Sequence, residues 1–247
     1  MGYVGRVKIS VVVPAFNEEK LLGRSLAEIK SAAAAFAGLG WEFELVVCDN
    51  NSTDRTAAIA REAGAKVIFE PFNQIGRARN TGAGAATGDW LIFVDADSHP
   101  SEPLFAEVAR QISSGRCLAG GSTVKLDEQR LAAGLFTALW NLTSRWQKWL
   151  AGSFIFVEAA VFRRLGGFST KFFAAEELEL SQRLKQCARE QKKKIVVLHR
   201  HPLRTSARKL NLYTHRELGV FLVRSIFSHR RAVGSREEAY LWYDGRR

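Results

Sequence analysis

The alternation of short apolar runs with helical patterns over the first 95 residues constrains the fold most strongly. The runs at 7–13, 43–49, 65–70 and 89–95 are rich in β-branched and aromatic residues, which predicts four buried strands. Segments 22–36, 52–64 and 75–88 between them carry helical spacing, as with Leu22, Leu26 and Ile29. Strands and helices joined by short loops favour an α/β fold with parallel strands and right-handed crossovers.

Polar residues follow three of these predicted strands. Pro14-Ala15-Phe16-Asn17 follows the first, Asp49-Asn50 the second and Asp95-Ala96-Asp97 the fourth. In open α/β sheets, ligands bind beyond the carboxyl ends of the strands. The predicted topology therefore places a binding site where these three segments meet.

Asp95 and Asp97 are the most informative of these residues. Two neighbouring carboxylates repel each other, so we expect a positive group between them. Mg²⁺ commonly binds one or two carboxylates together with substrate phosphates, which suits a D-x-D loop. The alternative is a solvated turn in which Asp97 caps a helix near residues 101–110. A phosphatase of the haloacid dehalogenase type is not favoured, because its D-x-D follows the first strand.

Composition narrows the classes further. The chain has 247 residues, 47% of them hydrophobic, and a net charge of +11. From Arg183 onward there are 17 Lys/Arg against 5 Asp/Glu, a net +12, so the remainder carries −1. This basic segment is expected to face anions. The three cysteines have no CxxC spacing, which predicts reduced thiols in the cytoplasm. No signal peptide or membrane-spanning run is predicted.

Beyond residue 100 the alternation weakens. Strands are predicted at 117–125 and 194–198, helices at 128–149, 175–190 and 210–228, and an apolar segment at 154–162. The helix at 128–149 carries Trp140 and an apolar stripe formed by Leu131, Leu135, Leu139, Leu142, Trp146 and Trp149. That stripe predicts a core-facing helix face, with an acceptor-binding or membrane-contacting face as the alternative.

Four motifs in order resemble those of family 2 glycosyltransferases. They are "VVVPAFNEEKLL", "CDNNSTDRT", "GRARNTGAGAATGDWLIFVDADS" and "AEELELSQRL". The resemblance covers roughly residues 8–200 and indicates a bacterial, inverting member. It implies the GT-A fold, a Rossmann-like, mostly parallel sheet flanked by helices. The implied division is a catalytic domain at 1–205, with a nucleotide-sugar-binding half at 8–100 and an acceptor-binding half at 101–205. A basic helical extension follows at 206–247.

The resemblance also implies roles for individual residues. Nucleotide-sugar binding falls to Pro14, Ala15, Phe16, Asn17, Glu18, Asp49, Arg77, Asn80, Asp95 and Ala96. Arg79, beside Asn80, is a further candidate for ribose or phosphate, although a solvated helix face is the alternative for this segment. Asp95 and Asp97 are expected to hold Mg²⁺ or Mn²⁺, with Asp97 the stronger ligand and His199 a further candidate. The cation stabilises the diphosphate leaving group as a Lewis acid.

A base is needed to remove the acceptor proton. In similar enzymes it lies in a Glu-Asp pair that opens a late helix. Here the pair is Glu176-Glu177, and Glu177 occupies the Asp position. Because Glu is one methylene longer, either the acceptor lies farther away or Glu176 takes the role. An inactive transferase remains an alternative.

The expected partners follow from the same resemblance. The donor is a nucleotide-diphosphate sugar, by default a UDP-sugar, and the acceptor is a hydroxyl, with a lipid- or polysaccharide-linked one as a candidate. The basic tail adds an anionic membrane surface, which predicts a cytoplasmic protein at the inner face of the membrane. A nucleotidyltransferase of similar fold and a non-catalytic basic module are the rival readings. Nucleic acid is not an expected partner, because acidic residues at the site repel phosphates when no metal is bound.

Overall fold

The computed structural model describes residues 6–127, 131–173 and 176–208. Its strands are β1 (Lys8–Ala15), β2 (Glu42–Asp49), β3 (Lys66–Phe69), β4 (Trp90–Val94), β5 (Ser98–His99), β6 (Cys117–Leu126), β7 (Phe154–Glu158) and β8 (Lys194–Thr205). Its helices are α1 (Leu22–Ala32), α2 (Ala34–Ala37), α3 (Thr56–Glu62), α4 (Ile75–Ala85), α5 (Glu102–Ser113), α6 (Leu131–Gln147), α7 (Ala159–Arg164) and α8 (Glu176–Glu190).

The strands form one sheet in the order β3-β2-β1-β4-β7-β6-β8-β5. The four predicted strands are confirmed, and β1 pairs in parallel with both β2 and β4. The predicted mostly parallel sheet is confirmed, and β7 is a strand that runs antiparallel, between β4 and β6. Val94 pairs with Phe154, so the amino end of β7 meets the carboxyl end of β4. The connection that precedes β7 therefore enters the predicted site.

Both faces of the sheet are covered, which explains the continuous apolar runs of its strands. On one face Val11 and Ile92 pack in a cluster with Phe105 of α5. On the other face Phe93 packs against Phe168, with ring centroids 5.1 Å apart. Burying each such side chain contributes about 1.5–3 kcal/mol.

Several predicted boundaries move because loop residues have tertiary partners. The helix expected at 52–64 begins at Thr56, since Ser52 accepts a hydrogen bond from the backbone N–H of Asn17. The helix expected at 22–36 is divided into α1 and α2. Ser101, rather than Asp97, caps α5 by accepting from the N–H of Leu104.

The core-stripe interpretation of α6 was wrong at two positions. The side chains of Leu142 and Trp146, one turn apart, are 65% and 81% exposed. β8 runs to Thr205, well beyond the predicted 194–198, because its second half pairs with β6 and β5. The helix predicted at 210–228 lies outside the described residues. Among the described helices, none is long and apolar enough to cross a bilayer.

Candidate functional site

The loop after β1 is fixed by the start of the β2–α3 connection. Asn17 has a left-handed backbone (φ 50°), which asparagine tolerates better than most residues. Its side-chain oxygen accepts from the N–H of Thr53 at 2.8 Å, and the N–H of Glu18 donates to Thr56 at 2.8 Å. Phe16 and Asn17 remain partly exposed, whereas Pro14, Ala15 and Glu18 are buried. The loop is thus held in one conformation beside the strand ends.

Asp49 lies at the carboxyl end of β2 and is 6% exposed. One of its carboxylate oxygens accepts from the N–H of Ser52 at 3.2 Å, which is a local turn contact. Since Ala15 pairs with Asp49 across β1 and β2, the structure brings this carboxylate to the predicted donor loop.

Two α4 residues named from the sequence have local partners. The guanidinium of Arg77 lies 5.1 Å from the ring of Phe72 and donates to Gln74 at 3.0 Å. The amide of Asn80 both donates to the carbonyl of Phe168 and accepts from its N–H, each at 2.9 Å. Asn80 therefore fixes the segment before α8, and these contacts leave its amide little capacity to bind a nucleotide.

Arg79 is the centre of a buried charge network. Its guanidinium donates to Glu176 at 2.6 Å, to Asp95 at 2.9 Å and to the carbonyl of Gly152 at 2.8 Å. It is 2% exposed and lies 5.2 Å from the ring of Phe168. The solvated-face alternative was wrong at this position. Arg79 supplies the positive charge that was expected beside Asp95.

Asp97 has a different environment from Asp95. Its side chain is 4% exposed, and no described residue donates a hydrogen bond to its carboxylate. Ala96 between the two acids is equally buried. A nearly buried carboxylate whose oxygens are not fully enclosed suits a bound cation, which offsets the cost of its partial desolvation.

His199 does not join this cluster. It is exposed on β8, six residues before Thr205, which pairs with Ser98 beside Asp97. At about 3.3 Å per residue, that places it roughly 20 Å away along the strand. Within the described part of the chain, no group of three or more His, Cys, Asp and Glu side chains is arranged to hold a metal.

The two glutamates at the start of α8 differ in exposure. Glu176 is 2% exposed and bound to Arg79, whereas Glu177 is partly exposed. Burial and the neighbouring charge of Glu177 raise the pKa of Glu176 to about 8, and Arg79 opposes this only in part. Burial also raises the pKa of Glu177. The pair retains a proton to higher pH than ordinary carboxyl groups do.

A short segment after β8 reaches the same edge of the sheet and was given no role from the sequence. The N–H of Ser206 donates to the carbonyl of Asp97 at 3.1 Å. Arg208 donates from Nη2 to both carboxylate oxygens of Glu18, at 2.8 and 2.7 Å. Its Nε is buried and has no hydrogen-bond partner among the described residues. The segment 206–208 thus connects the D-x-D turn to the β1 loop.

The α6–β7 connection forms the opposite side of the site. The N–H of Leu150 donates to Ser181 on α8, and a Cβ added at Gly152 would lie 3.1 Å from Arg79 Nη2 and 3.4 Å from Glu177 Cδ. A larger residue at this position would require the guanidinium of Arg79 to shift by a few tenths of an ångström. The exposed Leu142 and Trp146 lie on the helix that leads into this connection.

Comparison with known proteins identifies the family. The sequence profile "Glycosyl transferase family 2" matches residues 10–164, more than half of the chain. The chain belongs to glycosyl transferase family 2. It is 37% identical over 115 residues to 4,4'-diaponeurosporenoate glycosyltransferase of Staphylococcus haemolyticus, covering 42% of this chain and 29% of that protein. The chain spans between about a quarter and a half of the length of the curated relatives it matches.

Solved structures confirm the predicted GT-A fold. Residues of this chain superpose on a mannosyltransferase of Pyrobaculum calidifontis, solved with GDP-Man and Mn²⁺, with a TM-score of 0.65 and 18% identity. That match covers 96% of this chain and 70% of that one. S. aureus TarS 1-349 gives a TM-score of 0.64 and 22% identity, over 95% of this chain and 68% of that one.

Proposed function

We propose that this family 2 protein transfers a sugar from a nucleotide-diphosphate donor to an acceptor hydroxyl, with inversion at the anomeric carbon. The observation that carries the proposal is the convergence of Asp49, Asp95 and Asp97 with the acid pair of α8 at one edge of the sheet. Solved proteins of this fold contain UDP-GlcNAc, UDP-glucose or GDP-mannose. We take a UDP- or GDP-sugar as the donor class.

A divalent cation fits the residues at this edge. Asp97 offers a nearly buried carboxylate two residues from Asp95, and a divalent cation commonly binds one or two carboxylates together with substrate phosphates. Mn²⁺ and Mg²⁺ accompany the nucleotide in related structures. When bound, the cation neutralises the charge that develops on the diphosphate. Asp97 would be its principal ligand, because the carboxylate of Asp95 already forms an ion pair with Arg79.

Glu177 is the better placed of the two glutamates to act as base. It is partly exposed, whereas the carboxylate of Glu176 is bound to Arg79 and buried. The raised pKa of Glu177 strengthens it as a proton acceptor for the attacking hydroxyl. Asp49 and residues 14–18 would hold the base and ribose, with Asp49 accepting an N–H of the nucleotide base as a charge-assisted hydrogen bond.

Thermal-shift measurements test donor and cation together. A ligand that binds only the folded state raises the melting temperature. We expect UDP or GDP to raise it when Mn²⁺ is present and to have little effect in EDTA, and we expect Asp97→Ala to remove the increase. If no nucleoside diphosphate shifts the melting temperature with either cation, the proposed function is wrong.

For the acceptor side we propose a lipid-linked substrate at an anionic membrane surface. Leu142 and Trp146 form an exposed apolar pair, with exposed Arg145 and Lys148 beside them. The sequence from 129 to 157 contains no acidic residue. Tryptophan and basic side chains next to an apolar patch are typical of contacts with lipid headgroups. We therefore propose a cytoplasmic location at the inner face of the membrane, which this surface and the predicted reduced thiols support.

Liposome flotation tests the membrane surface. Vesicles with anionic lipid should retain the protein at low salt more than neutral vesicles do, and Trp146→Ser with Leu142→Ser should reduce retention severalfold. Leu39→Ser, which removes an exposed leucine elsewhere, is the matched control. Equal binding to neutral vesicles, or no loss in the double variant, contradicts this surface.

The rival functions make different predictions. A nucleotidyltransferase of similar fold is disfavoured by the family match over residues 10–164. A basic nucleic-acid-binding module predicts duplex binding that weakens steeply with salt. That module leaves the buried Asp97 and the acid pair of α8 without a role.

A further inference from the structure

Arg79 donates hydrogen bonds to both the D-x-D turn and the acid pair. Asp95 lies at the end of β4, and Glu176 opens α8, 81 residues later in the chain. No direct hydrogen bond joins these two carboxylates. Each instead accepts from a different nitrogen of the same guanidinium, Glu176 from Nη1 and Asp95 from Nη2. A single planar group therefore fixes the spacing between the two sides of the site.

The shape of arginine suits this position, and lysine would not replace it. The guanidinium presents its donors in a rigid fork, whereas an ammonium is a single point on a flexible stem. Nη2 also donates to the carbonyl of Gly152, so the loop before β7 is held by the same group. The position of the guanidinium is fixed further, because Phe168 packs against it at 5.2 Å and a Cβ added at Gly152 would lie 3.1 Å from Nη2.

The network also separates the roles of the two glutamates. The carboxyl group of Glu176 binds Arg79 directly, whereas Glu177 interacts with Arg79 at longer range and is partly exposed. A guanidinium that is buried must remain paired, since an uncompensated buried charge is strongly destabilising. Arg79 therefore keeps the carboxyl group of Glu176 in the interior, whereas Glu177 has no hydrogen bond to Arg79.

We propose that Arg79 is a positioning residue that couples the donor side of the site to the base, with Glu176 as its structural partner and Glu177 as the base. The effect of Arg79 on turnover rests on the proposed transferase function. The coupling between Asp95 and Glu176 rests on geometry alone. Its direct consequence is that a change at Glu176 alters binding at Asp95, although the two side chains do not touch.

The first test measures the affinity for Mn²⁺ with UDP by calorimetry at pH 8.5, above the pKa of Glu176 of about 8. In Glu176→Gln the guanidinium charge is left to Asp95 alone and binds it more tightly, so we expect the affinity to fall about three- to tenfold. The matched control is Glu179→Gln on the same helix, which removes the partner of Arg183 away from the site. It should change the affinity less than twofold. An equal effect in both variants, or none in Glu176→Gln, overturns the proposal.

The second test needs no nucleotide. Melting temperatures are compared for Asp95→Asn, Glu176→Gln and the double variant at the same pH. Each single variant leaves Arg79 one charged partner, whereas the double variant leaves it with neither of its two paired carboxylates. The double variant should therefore lose at least about 3 °C more than the two single losses together. Additive losses overturn the coupling whether or not the protein binds nucleotides, and a failure to bind any nucleotide refutes only the proposed function.

Turnover separates positioning from mere stability. Arg79→Lys keeps the charge but cannot reach three acceptors, so kcat should fall at least about tenfold at saturating donor. Arg183→Lys, a comparable arginine on α8 that also binds a glutamate and backbone carbonyls, should leave kcat within twofold. Parallel losses of kcat in the two lysine variants would mean that Arg79 acts only through stability.

Discussion

Asp97→Asn is expected to make the cation-free protein more stable while abolishing its response to metal. The residue is 4% exposed, and its carboxylate oxygens, although not fully enclosed, lose most of their hydration, so its negative charge is unfavourable when no cation is bound. An unsatisfied buried polar group costs about 1–3 kcal/mol, and more when it is charged. Asparagine has nearly the same shape and no charge. We therefore expect a gain of about 1–2 kcal/mol, which for a chain of this length is an increase of about 2–8 °C in Tm.

Asp95→Asn provides the matched control, because the same chemical change is made two residues away. Asp95 is 20% exposed and is bound to Arg79 at 2.9 Å. Breaking a fully buried ion pair costs about 3–5 kcal/mol, and at pH 8.5 Arg79 retains the ionised Glu176, so we expect a loss of about 2 kcal/mol. The same Asp→Asn substitution should thus stabilise the protein at position 97 and destabilise it at position 95.

The assay is urea and thermal unfolding in EDTA, followed by thermal unfolding with Mn²⁺ and UDP. In EDTA, Asp97→Asn should have the higher Tm. With Mn²⁺ and UDP, the wild type should have the higher Tm. If Asp97→Asn lowers Tm in EDTA, then the protein itself already neutralises this carboxylate, and the reasoning that assigns the cation to it is refuted.

Three further outcomes are expected from the site. Gly152→Ala places a methyl group 3.1 Å from Arg79 Nη2 and should lower kcat about tenfold. Gly84→Ala is the control, because no atom lies within 4 Å of the added carbon, and it should leave kcat unchanged. Steady-state kinetics with the donor selected by the thermal screen would measure both effects. Glu177→Gln should lower the rate of sugar transfer by at least about 10²-fold and leave the affinity for Mn²⁺ and UDP within twofold. Retained turnover would mean that another residue is the base. The pKa of Glu176 is raised from 4.5 to about 8 on folding, so the unfolded chain releases this proton first. The stability that this group contributes is therefore lost as pH rises from about 5 to 8. The urea midpoint of the wild type should fall over that range, and it should fall less in Glu176→Gln. The same pH dependence in both proteins contradicts the raised pKa of Glu176.

The first half of the fold could be predicted because burial leaves a direct trace in the sequence. Strands covered on both faces are continuous apolar runs, and β1, β2 and β4 were predicted within a few residues. The positions of Asp49 and Asp95 followed, since the carboxyl ends of parallel strands share one edge.

The partners of Arg79 could not be predicted in the same way. Arg77 and Arg79 are both basic, and only the packed face of α4 distinguishes them. The signal was available in Gly76 and Ala83, whose small side chains at helical spacing from Arg79 mark the buried face. Which acids lie against that face depends on the tertiary fold.

Long-range contacts were hidden for a simpler reason. Arg208 meets Glu18 across 190 residues of sequence, and no local pattern encodes that encounter. Asn80 likewise looked like a nucleotide ligand because of its motif, but its amide binds the backbone of Phe168.

The reversed direction of β7 has a consequence for how such enzymes diversify. If β7 were parallel to β4, the loop after β7 would lie at the edge of the sheet that carries the site. Because β7 is antiparallel, the connection before it, residues 148–153, lies there instead. Insertions or replacements in those few residues can reshape the space for the second substrate, while hydrogen bonds between neighbouring strands and the nucleotide side stay intact. New acceptor preferences could evolve through one short stretch of chain, provided that the glycine beside the guanidinium is kept.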